Sequence, residues 1–114
     1  MPTDLAAWTP IDGLAGPIVK TKAEARPQVT VVARPAGLTV VRMDFRAGDV
    51  MADHRAVWPI LVMTQVGTVR VTIGEDAVEL VAGGAVHIAR NVMHELVAVT
   101  DAVVTLLVLH PDAA

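Results

Sequence analysis

The chain contains no cysteine, no serine and no tyrosine, and only one phenylalanine. Without cysteine there can be no disulfide, thiolate metal site or cysteine nucleophile, and the composition suits a reducing compartment. Without serine a Ser-His-Asp triad is impossible. Aromatic residues make up 3% of the chain, the net charge is -3 and the basic residues are scattered. Neither a phosphate-tracking stripe nor a base-stacking platform for nucleic acid is therefore present. Long hydrophobic runs are missing as well. The longest candidate, residues 102 to 109, falls far short of the roughly 18 residues that a membrane-spanning helix requires. Residues 1 to 13, broken by Asp4, Trp8, Pro10 and Asp12, lack the charged-then-apolar order of a signal peptide. The expectation is a cytoplasmic protein with no nucleic-acid or membrane partner.

What is present is apolar sequence cut into short pieces. Hydrophobic residues are 54% of the 114 and charged residues 18%, too apolar for a disordered chain and long enough for one core. Residues 1 to 27 hold four of the seven prolines and read as an N-terminal arm, with Trp8 packing it down. From Gln28 onward, Val, Ile, Leu and Thr runs alternate with turn signals at residues 34 to 37, 46 to 49, 73 to 76 and 82 to 84. The strands expected are Val29 to Ala33, Leu38 to Phe45, Pro59 to Val66, Thr68 to Ile73, Ala77 to Val81, Ala85 to Ala89, Glu95 to Thr100 and Val103 to Leu109. In Val69, Val71 and Ile73 against Arg70 and Thr72 the period is two, one face for a core and one for water. Glu75 and Asp76 then fall in a solvated hairpin turn. Residues 28 to 114 thus form a single all-β domain, a sandwich, jelly roll or barrel.

Two spaced motifs refine this. Gly48, His54 and Gly67 match the glycine and first histidine slots of G-x5-H-x-H-x(3,4)-E-x6-G. Gly83 and His94 match G-x5-P-x-G-x2-H-x3-N, with Ala89 at the proline slot and Asn91 at its glycine slot. Asparagine is the commonest substitute for glycine where the backbone turns left-handed. Over residues 38 to 110 the chain resembles the cupins, in particular small RmlC-like members. The resemblance implies a double-stranded β-helix, a jelly-roll barrel, here preceded by an extended arm. It also implies a homodimer whose N-terminal arms cross to the partner.

In metal-binding cupins the resemblance implies four ligands, two histidines and a glutamate from the first motif and one histidine from the second. Here His54 and His94 remain, while Ala56 stands at the second histidine slot and Ile60 at the glutamate slot. A divalent metal such as Fe, Mn, Ni or Zn normally needs about three protein ligands and an open position, so a complete four-ligand site is excluded. A third donor would have to come from His87, Asp53, Met51, Met93 or Thr64. On an extended chain, residues 54, 56 and 60 share one face, so the expected ligand pocket comprises His54, Ala56, Trp58, Ile60 and His94, with Trp58 covering the mouth. Met43, Met51, Met63 and Met93 offer a soft lining or fill gaps in the core. Gln65, inside an apolar strand, demands a hydrogen-bond partner. His87 and His110 read as ordinary polar residues. The functional expectation is a small-molecule-binding cupin built around two histidines. The alternative is a metal-dependent enzyme of dioxygenase or isomerase type that uses an unrecognised third ligand.

Overall fold

Nine strands build the molecule in the computed structural model, which describes residues 7 to 111. They are β1 (Gln28–Ala33), β2 (Leu38–Phe45), β3 (Val50–His54), β4 (Ile60–Val66), β5 (Thr68–Ile73), β6 (Asp76–Val81), β7 (Ala85–Ile88), β8 (His94–Ala98) and β9 (Ala102–Leu109). The described residues contain no helix. The strands form two antiparallel sheets, one ordered β1-β2-β9-β4-β7 and the other β3-β8-β5-β6. Eight of the nine match the strands expected from sequence to within one or two residues. The ninth, β3, was not expected: its sequence VMADH has no alternation of apolar and polar residues, and its last three positions are exposed.

Alternation explains how the two sheets close on each other. Val41, Met43 and Phe45 of β2, Ile60 and Val62 of β4, Val69 and Val71 of β5 and Leu96 and Ala98 of β8 point inward into one core. Each fully buried side chain of this size contributes about 1.5–3 kcal/mol, so the inward faces set the register of every strand. Turn residues carry the rest. Gly67, at φ 77, joins β4 to β5, and a Cβ there would collide with the carbonyl oxygen of Asp101. Asn91 is the one non-glycine residue at positive φ among those described, at 63. This is the left-handed turn expected when asparagine replaces the motif's glycine.

The outward face of β2 is covered by the arm of its own chain. The Arg42 guanidinium donates to the carbonyls of Gly13, Ala15 and Pro17 at 2.9–3.1 Å. It also grips the Asp44 carboxylate through two parallel bonds of 2.9 Å. Asp44 in turn accepts the Val19 N–H at 2.7 Å. Further along, the buried Lys20 ammonium pairs with the buried Asp49 carboxylate and donates to the Glu24 carbonyl at 2.6 Å. Trp8 takes no part: it is 78% exposed, so the arm is held by backbone carbonyls meeting Arg42 and by one buried ion pair, not by the tryptophan that was expected to pack it down. No helix among the described residues is long and apolar enough to cross a membrane.

Candidate functional site

His54 ends β3 and His94 begins β8, and the two are register partners across the sheet. They reach the same face only because β3 is irregular. Val50 pairs with Val97 and Met51 with Leu96, but the next pair is His54 with His94. Three steps on β3 therefore match two on β8. This is a β-bulge, a device that re-aims a side chain. Without the extra residue Asp53 would oppose His94 and His54 would turn away. Motif spacing points to the two histidines, but the bulge that aims them is not legible in it, because an inserted ladder residue carries no composition of its own.

The two rings meet edge to face, with centroids 4.3 Å apart and planes at 63°. In each, Nδ1 lies against the carbonyl two residues earlier, Ala52 for His54 at 3.1 Å and Val92 for His94 at 2.9 Å. A carbonyl only accepts, so each Nδ1 carries a proton, and in the neutral ring this leaves the lone pair on Nε2. The surroundings differ sharply. His54 is exposed, whereas His94 is 1% exposed and its Nε2 has no hydrogen-bond partner. Leaving such a group unsatisfied costs about 1–3 kcal/mol. Burial pushes the His94 imidazole below its ordinary value near 6.5, against the Val92 carbonyl; the charge of His54 lowers it further and that of Asp53 raises it. Burial thus favours the neutral ring of His94, whose Nε2 is an acceptor.

The remaining expected residues fall in different places. Ala56 packs against the edge of the core, and its carbonyl accepts the Asn91 N–H at 2.7 Å, tying the loop before β4 to the loop before β8. Ile60 is 2% exposed within the core. Beyond His54, β3 stops and residues 55 to 59 form a loop, so the period-two alternation expected through 54, 56 and 60 is broken. Trp58 lines an outer groove of about 510 Å³ together with Pro59, His87, Arg90, Leu109 and His110. Neither His54 nor His94 borders that groove. His110 has a partner, Thr39 Oγ1 at 3.1 Å. Gln65 also finds one, donating to Thr105 Oγ1 on the neighbouring strand at 3.0 Å.

The candidate third donors separate in the same way. His87 is exposed on β7 in the outer groove. The Thr64 hydroxyl is buried without a partner, but it sits near the Gly67 end of β4, whereas His94 pairs with Ile73 at the far end of β5. A six-residue strand puts roughly 17 Å between those ends. Met93 is exposed and its sulfur accepts from Arg55 at 3.4 Å; Asp53 is exposed too. Met51 alone among them is partly buried and packed against the core, opposite Leu96 and on the inward side of the same strand pair. No group of three or more His, Asp or Glu side chains among the described residues could hold a metal ion. The four-ligand centre of the metal-binding cupins therefore does not fit these residues: two imidazoles have the right free nitrogen, and Ala56 and Ile60 supply no lone pair.

Solved structures place this architecture. KdgF from a Halomonas species matches with a TM-score of 0.68 at 25% identity, over 76% of this chain and 82% of that one. A cupin superfamily protein from Desulfitobacterium hafniense matches with a TM-score of 0.72 at 12% identity, over 89% and 98%. The chain is a cupin by fold. Salicylate 1,2-dioxygenase from Pseudoaminobacter salicylatoxidans shares the same cupin barrel, with a TM-score of 0.70 at 14% identity, but the match spans 78% of this chain and only 26% of that enzyme. No protein-family model matches the chain, and no curated protein does.

Proposed function

We propose that this cupin is a small-molecule-binding protein whose site is the His54–His94 pair. The observation that supports the reading is the buried, partnerless Nε2 of His94, beside an exposed imidazole of the same tautomer. A buried acceptor left open by the fold is worth its cost when a ligand fills it. Such a ligand brings to Nε2 either an acidic hydrogen, as in a hydroxyl or carboxylic acid, or a cation. The test is a ligand screen read on the imidazole nitrogens by long-range proton–nitrogen NMR, repeated on His54→Ala and His94→Ala. Ligands that move both Nε2 signals and lose affinity in both variants support the reading. Ligands that bind both variants as tightly as the parent refute it.

The rival reading, a metal-dependent enzyme of dioxygenase or isomerase type, is separated by metal analysis. Protein purified without chelator that carries about one Fe, Mn, Ni or Zn per chain, abolished in both histidine variants, would favour the enzyme. We further propose a homodimer in which the arm contributes contacts. Exposed Trp8 on the arm and exposed Val29 and Val31 on β1, an edge strand, offer the apolar surface for it. Light scattering on the full chain at micromolar concentration decides it: twice the chain mass supports the dimer and the mass of one chain refutes it.

A further inference from the structure

Resting on the reading of His54 and His94 as the ligand site, we propose that Met51 joins them in a three-donor site for a soft monovalent cation, Cu(I). The placement comes from the bulge in β3. Met51 opposes Leu96, a wholly buried core residue, and His54 opposes His94, two residues along β8 on the same inward face. In a regular strand Met51 and His54, three apart, would point to opposite faces; the extra residue brings them to one. Neighbours in register and on the diagonal of a strand pair lie within reach of long side chains. Met51 has three side-chain torsions with which to bring its sulfur toward the imidazoles.

The donor chemistry selects the ion. Both imidazoles carry their proton on Nδ1, hydrogen-bonded to backbone carbonyls. This is how metal-bound histidines are commonly oriented, with Nε2 left to coordinate. Neither His donor nor the thioether is anionic. The hard dications of oxygen-rich sites are poorly served by such a neutral set, whereas thioether and imidazole suit Cu(I). The deep, partnerless Nε2 of His94, on which the ligand-site reading rests, is the nitrogen that the cation would take. The other methionines are otherwise disposed: Met43 is buried in the core and Met93 is exposed with Arg55 on its sulfur.

Anaerobic titration of the chelator-treated full chain with Cu(I), against a chromophoric Cu(I) chelator, tests the proposal. One equivalent is expected to bind. Met51→Leu, a volume-conserving change that the fold tolerates, should weaken Cu(I) binding by about tenfold or more while leaving Zn(II) binding unchanged. In parallel, Ag(I), which binds like Cu(I) without redox chemistry, is added to the parent protein labelled at methionine methyls and histidine nitrogens. Shifts of the Met51 methyl and of both Nε2 signals support the three-donor site. Equal Cu(I) affinity in parent and Met51→Leu overturns it. So does a Met51 methyl that stays still while both imidazoles respond, an outcome that leaves the histidine-pair reading standing. If neither imidazole responds to Ag(I) or to any molecule in the ligand screen, the histidine-pair reading itself falls.

Discussion

Where the arm meets β2, Lys20, Asp44 and Asp49 are nearly as buried as His94 is at the start of β8. Each of the three nonetheless has its charge matched, Lys20 by Asp49 and Asp44 by Arg42, whereas the Nε2 of His94 has no partner. Asp49 also accepts the Arg46 N–H within its own turn, at 2.8 Å. Burial alone would raise the Asp49 carboxyl, but the Lys20 hydrogen bond, the Arg46 N–H and the charges of both residues hold it below its ordinary value. Satisfied buried charges fix where the arm lies. An unsatisfied buried lone pair stabilises nothing in the free protein, and that asymmetry is why His94 is the place to look for a ligand.

The sharpest way to break this contrast is to unpair the arm. Asp49→Ala strands the Lys20 ammonium in a buried position and should cost about 3–5 kcal/mol, read as a lower midpoint in urea unfolding. A loss below about 1 kcal/mol, the value of an exposed pair, would show that the pair is hydrated and the arm loosely held. At His94 the same kind of change should behave oppositely. His94→Leu removes the open acceptor along with one hydrogen bond to Val92, so stability should stay within about 1 kcal/mol of the parent or rise, while ligand binding at the pair is lost. A large destabilisation would mean that Nε2 is already satisfied, for instance by ordered water. Thr64→Val sharpens the comparison at the opposite end of the barrel, where a second partnerless polar atom sits with no histidine nearby. An apolar group of the same shape there should raise stability by up to about 1 kcal/mol.

Acid titration separates the two regions by pH, with smaller effects. His94 has a folded value below 6.5, so above that pH neither folded nor unfolded form binds a proton there. As the pH falls below 6.5 the unfolded chain takes up the proton first. Metal-free protein should therefore lose stability from about pH 6.5 downward until the folded value is passed. Beside the larger effects of burial and the Val92 carbonyl, the charge of His54 lowers the value and that of Asp53 raises it. Asp49 has a folded value below 3.8. Its contribution is fully present above that pH and is lost as the pH falls from about 3.8 toward the folded value. His94→Leu should erase the first window and Asp49→Ala the second, as measured by urea midpoints across the pH range.

How far the sequence could be read follows from which signals are local. Period-two alternation and turn residues located eight of the nine strands, and Asn91 was recognisable because only a few residues accept a left-handed turn. β3 escaped because it is short, without alternation, and paired to its neighbour β8 through an irregular register. The histidine pair was legible through motif spacing, but its geometry was not, because a bulge and a loop reset the phase that alternation assumes. Met51 stood among the candidate third donors, but its spacing of three from His54 argues against a shared face in a regular strand, and only the bulge reverses that. Lys20 and Asp49 were missed because nothing local to residue 20 or residue 49 announces a partner 29 positions away. Trp8, in contrast, was expected to hold the arm on the strength of its size alone, and its 78% exposure shows how little size decides when backbone carbonyls can be anchored by a guanidinium.

The most direct measurement of the central claim is the long-range proton–nitrogen NMR spectrum of the histidine side chains in chelator-treated protein near pH 7. The expected result is a neutral His94 with its proton on Nδ1 and an unprotonated Nε2 that shifts when ligand or Ag(I) is added. A His94 protonated on Nε2, or carrying both protons, would leave no open acceptor there and would contradict it.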